Sequence, residues 1–108
     1  MNVYVTDNAW ERIEHIADYI DDNFGEKSRN QFMSDFYHTK DLFAINPYIG
    51  PIEQSLAHLP IEFHSIVVAK KNKINYYVVA DDDIVKIVDF WDCRRNPKTL
   101  VSQVKGGK

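Results

Sequence analysis

The sequence predicts an α+β domain in which a helical hairpin covers one face of a twisted antiparallel sheet, and three observations carry that expectation. Residues 74–97, INYYVVADDDIVKIVDFWDCRRNP, read as two strands about a tight acidic turn. Val78, Val79, Ile84, Val85, Ile87 and Val88 are β-branched, and Tyr76, Tyr77, Phe90 and Trp91 are aromatic, the composition of a pleated, half-buried surface. Upstream, Ala9, Ile13, Ile16, Ala17, Ile20 and Phe24 recur at helical spacing, which makes an apolar stripe on an amphipathic helix. A hairpin alone is marginal in water. The rest of the chain is therefore expected to cover this one, and helices grouped ahead of strands give the α+β class.

Each element follows in order. Asn2 to Val5 alternates and is β-rich, a short first strand. Thr6 and Asp7 are capping residues at the start of the first helix, with Glu11 close behind. Gly25 ends that helix, where a left-handed residue is wanted. A second helix runs from about Lys27 to Ile45, with Phe32, Phe36, Leu42 and Phe43 inward and Met33 filling a gap. A link of roughly two to four residues makes the pair an antiparallel hairpin. Asn46-Pro47 stops the second helix, because the residue before proline is pushed out of the α region. Residues 48–62, with Gly50, Pro51 and Pro60, form an ordered connection across one end of the molecule.

Phe63 to Ala69 is the next strand, and Lys70-Lys71-Asn72-Lys73 turns into the central hairpin. Asp81-Asp82-Asp83 supplies the hairpin's turn, since Asp tolerates a left-handed backbone and hydrogen-bonds its own main chain. A short segment at 100–104 adds a helical turn or strand. The expected organisation is one domain over residues 1–104, a three-strand antiparallel meander after the helices, and a fraying tail at 105–108. One sheet face is left with alternating polar and aromatic positions, the place for a partner or substrate.

Composition narrows the function classes. The chain has 108 residues, 44% hydrophobic and 27% charged, as expected of one ordinary globular domain. It contains no apolar run of about 18 residues that would span a membrane, and MNVYVTDNAW lacks the basic and apolar regions of a secretory signal. Cys93 is the sole cysteine and has no internal disulfide partner, so a reduced, cytoplasmic setting is expected. The net charge of −3 divides unevenly: residues 1–60 carry the acidic excess and residues 61–108 a basic one. A polyanion would therefore meet the C-terminal half, although solvated faces account for the same asymmetry. His15, His38, His58 and His64 lack metal-ligand spacing, and no glycine-rich phosphate loop is present. Neither a metal nor a cofactor is expected.

The ordered set of a strand, a capped helix with Ile16-Ala17-Asp18-Tyr19-Ile20, Gly25, a Phe-bearing second helix and Asn46-Pro47-Tyr48-Ile49-Gly50 resembles the RelE/ParE superfamily of type II toxins. Phe63-His64-Ser65-Ile66-Val67-Val68, Tyr76-Tyr77-Val78 and Asp92-Cys93-Arg94-Arg95-Asn96-Pro97 extend the resemblance to about residue 100. It implies a small bacterial protein with a helical hairpin on an antiparallel sheet, of the plasmid-stabilisation kind. Its partner would be a cognate antitoxin, bound in a toxin–antitoxin hetero-oligomer.

The resemblance implies one of two activities. RelE-like members cut messenger RNA on the ribosome, which needs a base, an acid and cations around the phosphorane. At the positions matching that pattern, His64 and Ile66 stand for lysines, Ile74 stands near the strand arginine, and the C-terminal tyrosine is replaced around Lys98 to Leu100. Arg94 or Arg95 survives. A rebuilt endoribonuclease site would draw on His64, Arg94 and Arg95 as catalytic groups, with Lys70, Lys71 and Lys73 joining the arginines on the target. The bland readings are a structural His64, arginines paired with Asp89 or Asp92, and a packing role for Cys93. ParE-like members poison DNA gyrase and need only a binding surface, which suits a lost nuclease set. A member reduced to a non-toxic interaction module is the third alternative. All three share the antitoxin, which adds a strand and lays an amphipathic helix on such a toxin. Trp10, Phe90 and Trp91 are candidates for that contact, or else plain core.

Overall fold

The computed structural model describes residues 1–68 and 72–92. Its elements are β1 (Asn2–Val5), α1 (Asp7–Phe24), α2 (Glu26–Ile45), β2 (His64–Val68), β3 (Asn72–Val79) and β4 (Ile84–Asp92), with a 3-10 turn at Gln54–Leu56. They form one four-stranded sheet in the order β1-β4-β3-β2. The meander β2-β3-β4 is antiparallel as expected. The sheet as a whole is mixed, however, because β1 runs parallel to β4, pairing Asn2 with Ile84 through Val5 with Ile87. The helices between β1 and the meander provide the long crossover that a parallel pair requires.

Local chemistry sets the helix ends. Thr6 caps α1, its hydroxyl accepting from the Ala9 N–H at 3.2 Å, so one of the four orphan amides is satisfied. Gly25 alone joins α1 to α2, a tighter junction than the two to four residues expected, and its φ of 93° with ψ of 171° is not the left-handed helical cap. That conformation still favours glycine. Trp10 near the start of α1 meets Phe36 and Tyr37 in the later half of α2, as antiparallel helices require. Phe24, placed by periodicity on the buried stripe, is 67% exposed; it rests edge-on against Tyr19 at the solvated end of α1. In α2, Thr39 takes a buried place, its hydroxyl donating to the Asp35 carbonyl, while Leu42 is half-buried.

The main core lies between the helices and the sheet. Ala9, Ile13 and Ala17 of α1 and Phe32, Phe36 and Phe43 of α2 close on Ile74, Tyr76, Val85, Ile87 and Phe90. Phe90 receives Phe32 at 5.5 Å and Phe36 at 6.0 Å, both edge-to-face, a geometry that adds to simple burial. The opposite face is less open than alternation suggested. The connection after α2 folds over it and builds a second small core from Leu56, Phe63, Val88 and Trp91. Between Asn75 and Tyr76 the β3–β4 register shifts, so that Asn75 faces Asp89, Tyr76 faces Ile87, and Val88 is the extra residue. This bulge lets Ile87 and Phe90, three positions apart, share the main core, and Val88 and Trp91 share the second. The acidic turn behaves as expected: Ala80–Asp82 makes a 3-10 turn and Asp83 takes the left-handed conformation.

Candidate functional site

The connection between α2 and β2 is built as a strap along the outer edge of β2. The Pro51 carbonyl accepts from the Ser65 N–H at 2.9 Å, the Glu53 N–H donates to the Phe63 carbonyl at 2.8 Å, and Ile52 makes an isolated antiparallel bridge to His64. Gly50 anchors the strap. Its N–H donates to the Tyr76 hydroxyl at 2.9 Å, and its carbonyl accepts from His64 Nδ1 at 2.8 Å. A Cβ at Gly50 would fall 2.4 Å from the Ser65 carbonyl oxygen, so only glycine lets the backbone come this close.

His64 is the one expected catalytic residue that the described residues place in full. It is buried, on the helix side with Ile66, stacked on Tyr76 and met edge-on by Tyr48. A carbonyl only accepts, so the bond to Gly50 puts a proton on Nδ1. Nε2 lies 3.1 Å from Glu62 Oε1. Each ring nitrogen thus has a protein partner; a carboxylate also only accepts, so the contact with Glu62, whose side chain is 65% exposed, is a hydrogen bond when Nε2 carries a proton as well. Beneath it, burial pushes the Tyr76 phenol up, opposed by the Gly50 N–H, which keeps the hydroxyl neutral.

On the other side of β2 sits a buried carboxylate. Glu53 Oε1 accepts from Lys73 Nζ at 2.7 Å and the Ser65 hydroxyl at 3.1 Å. Its Oε2 accepts from the Ser55 N–H and hydroxyl. Burial pushes the carboxyl up, but the bonds from Lys73 and Ser55 and the Lys73 charge outweigh it and hold the group below the usual carboxylate range. Lys73, an expected target-binding cation, is thus ion-paired with Glu53, with 34% of its side chain exposed. Arg12 closes a second buried pair with Asp89 at 3.2 Å. Between these pairs, Asn75 is 0% exposed and neither of its amide atoms has a hydrogen-bond partner.

The remaining expected site residues divide. Lys70, Lys71, Arg94 and Arg95, with Cys93, lie outside the described residues. Trp10 is half-buried against Phe36 and Tyr37. Phe90 and Trp91 belong to the two cores; a docked helix would not reach either ring, because burial between layers is where their apolar area is satisfied.

Two surfaces are open, the first on the sheet face whose alternating polar and aromatic positions are the expected place for a partner, the second unforeseen in the sequence. Tyr4, Lys86 and Tyr77 stand in one cross-strand row over β1, β4 and β3, with Lys86 Nζ 5.8 Å from one ring and 5.9 Å from the other. Lys86 makes no ion pair among the described residues. A cation between two π faces is a binding surface, not a proton-transfer device. Separately, Ile45 at the end of α2 and Tyr48, Ile49 and Ile52 on the anchored strap are exposed within eight positions. Among the described residues no cluster of three or more His, Cys, Asp or Glu could hold a metal, and no helix is long and apolar enough to cross a membrane. No protein-family model and no curated protein matches the chain.

Proposed function

We propose that this chain is the toxin component of a RelE/ParE-type toxin–antitoxin pair, and that it acts by binding its target rather than by cleaving RNA. The ordered motifs from Asn2 to Pro97 support the family. The observation that carries the second half is the engagement of His64, whose two ring nitrogens meet Gly50 and Glu62. Lys73 supports it too, because its charge is paired with Glu53. A protein that works through a surface needs apolar area free for partners, and Ile45 at the end of α2 with Tyr48, Ile49 and Ile52 on the strap offers it. The antitoxin is proposed to cover that strap in a hetero-oligomer, and the cellular target to be of the DNA gyrase kind.

The test is tightly induced expression in a bacterial host, with methionine and thymidine incorporation followed over the first minutes. Early loss of thymidine incorporation is expected. Early loss of methionine incorporation instead would overturn the binding mechanism in favour of ribosome-dependent cleavage. Unchanged incorporation of both would leave the non-toxic interaction module.

A further inference from the structure

The two edges of the sheet are treated differently. At β2, the strap residues Pro51 and Glu53 bond Ser65 and Phe63 and cover the first part of the outer edge, ahead of the exposed Val67. At β1 nothing comparable is present among the described residues. The Asn2 N–H donates to the Asp83 carbonyl and the Thr6 N–H to the Ile87 carbonyl, so strand alternation turns Tyr4 to β4 as well. The backbone N–H and C=O groups of Val3 and Val5 then point outward. The strand is short, four residues, but Asn-Val-Tyr-Val has no charge, no proline and no bulge to guard an open edge, and such an edge is a template for another strand.

We infer that β1 pairs antiparallel with β1 of a second copy of this chain, joining two sheets into one about a two-fold axis at Tyr4. The register accommodates this occupant without an unpaired group. Outward-facing residues must oppose outward-facing residues, and centring the axis on Tyr4 sets Val3 against Val5 of the second copy, and Val5 against Val3. Each such pair exchanges both its N–H···O=C bonds, so all four outward groups of each strand are satisfied. Tyr4 meets its own copy in the intervening non-hydrogen-bonded position, where side chains approach closest and aromatic pairs stabilise a ladder. Tyr4 is 52% exposed and lies on the face away from the helices. The uncharged strand is compatible with itself: no like charges are opposed, which is what an isologous contact demands. The Tyr4–Lys86–Tyr77 row would continue across the axis into its symmetry mate.

Sedimentation equilibrium and amide hydrogen exchange across a concentration series test this. The expected result is a dimer in which the Val3 and Val5 amides exchange slowly when concentrated and faster on dilution. Val3→Pro removes an outward N–H without touching the β1–β4 ladder, and Tyr4→Lys sets two cations against each other at the axis. Each is expected to weaken association at least tenfold, and Tyr4→Lys keeps the test available if the proline variant does not fold. A wild-type chain that remains monomeric with freely exchanging Val3 and Val5 amides overturns the inference and leaves the edge to a strand from another protein. A dimer unaffected by Tyr4→Lys, with those amides unprotected, overturns it equally.

Discussion

Lys73 on β3 holds Glu53 of the strap at 2.7 Å, linking residues twenty positions apart across the outer side of β2. The bond ties the connection to the sheet at one end, while Gly50 ties it at the other. Losing the cation would leave a buried carboxylate with only Ser55 and Ser65. Lys73→Met is expected to destabilise the fold by about 1–3 kcal/mol, read as a lower urea midpoint with unchanged slope.

The same pair sets a pH dependence. Glu53 has a folded-state pKa below its ordinary value of 4.5, so it binds its proton less readily folded than unfolded. Its contribution is fully present above that ordinary value and is lost as pH falls through the lower, folded one. The stability difference between wild type and Glu53→Gln is therefore expected to shrink on acidification below about 4. Urea titrations at neutral pH and at stepwise lower pH measure it; a difference that stays constant into strong acid would contradict this assignment.

Gly50→Ala is expected to be among the most damaging small substitutions in the molecule. The new Cβ would meet Ser65 backbone and the Tyr76 hydroxyl, and backbone cannot swing aside. Overpacking of this kind costs roughly 1–3 kcal/mol or more, and loss of the Gly50 bonds to Tyr76 and His64 would accompany it. Thermal unfolding should show the drop.

His64→Asn and His64→Ala separate structure from chemistry. The asparagine amide can occupy the place of Nδ1 and still donate to Gly50, whereas alanine leaves that buried carbonyl unpaired, at a cost of about 1–3 kcal/mol. Growth inhibition by the asparagine variant is expected to equal wild type, measured alongside its melting temperature. A folded, non-inhibitory asparagine variant would restore His64 as a catalytic group.

Asn75→Val should leave stability unchanged or raise it by about 1 kcal/mol, because the amide buried there has no partner to lose and the desolvation penalty disappears. Equilibrium urea unfolding of the purified variant decides it.

The sequence made the local half of this structure legible. Thr6 as a cap, Asn46 as a stop, the aromatic positions of α2 and the Asp83 turn all follow from chemistry acting over a few residues. Pairing across the chain did not follow. Four residues of alternating pattern announce a strand but not its neighbour, so the parallel β1–β4 ladder went unseen. Periodicity also carried Phe24 into the core, although nothing among the described residues covers the last turn of α1. Glu53 was missed because a lone carboxylate in a loop has no pattern; its partners Ser65 and Lys73 are 12 and 20 positions downstream. Phe90 and Trp91 were read correctly as strand residues. Their burial depends on Phe32 and Phe36 on one side and Leu56 and Phe63 on the other, which only the tertiary fold brings together.

The parallel ladder has a consequence for biosynthesis. Thr6, at the end of β1, donates to the carbonyl of Val88, 82 positions later. During translation β1 leaves the ribosome long before the strand it needs, whereas the intervening α1–α2 pair and the β2–β3 hairpin make contacts local enough to form early. The sheet can close only once β4 has emerged, in a single late step. A ribosome that stalls or a message cut anywhere before that strand releases a helical hairpin with an unpaired β1. The nascent chain therefore has no complete four-stranded sheet until almost the last of its described residues has been made.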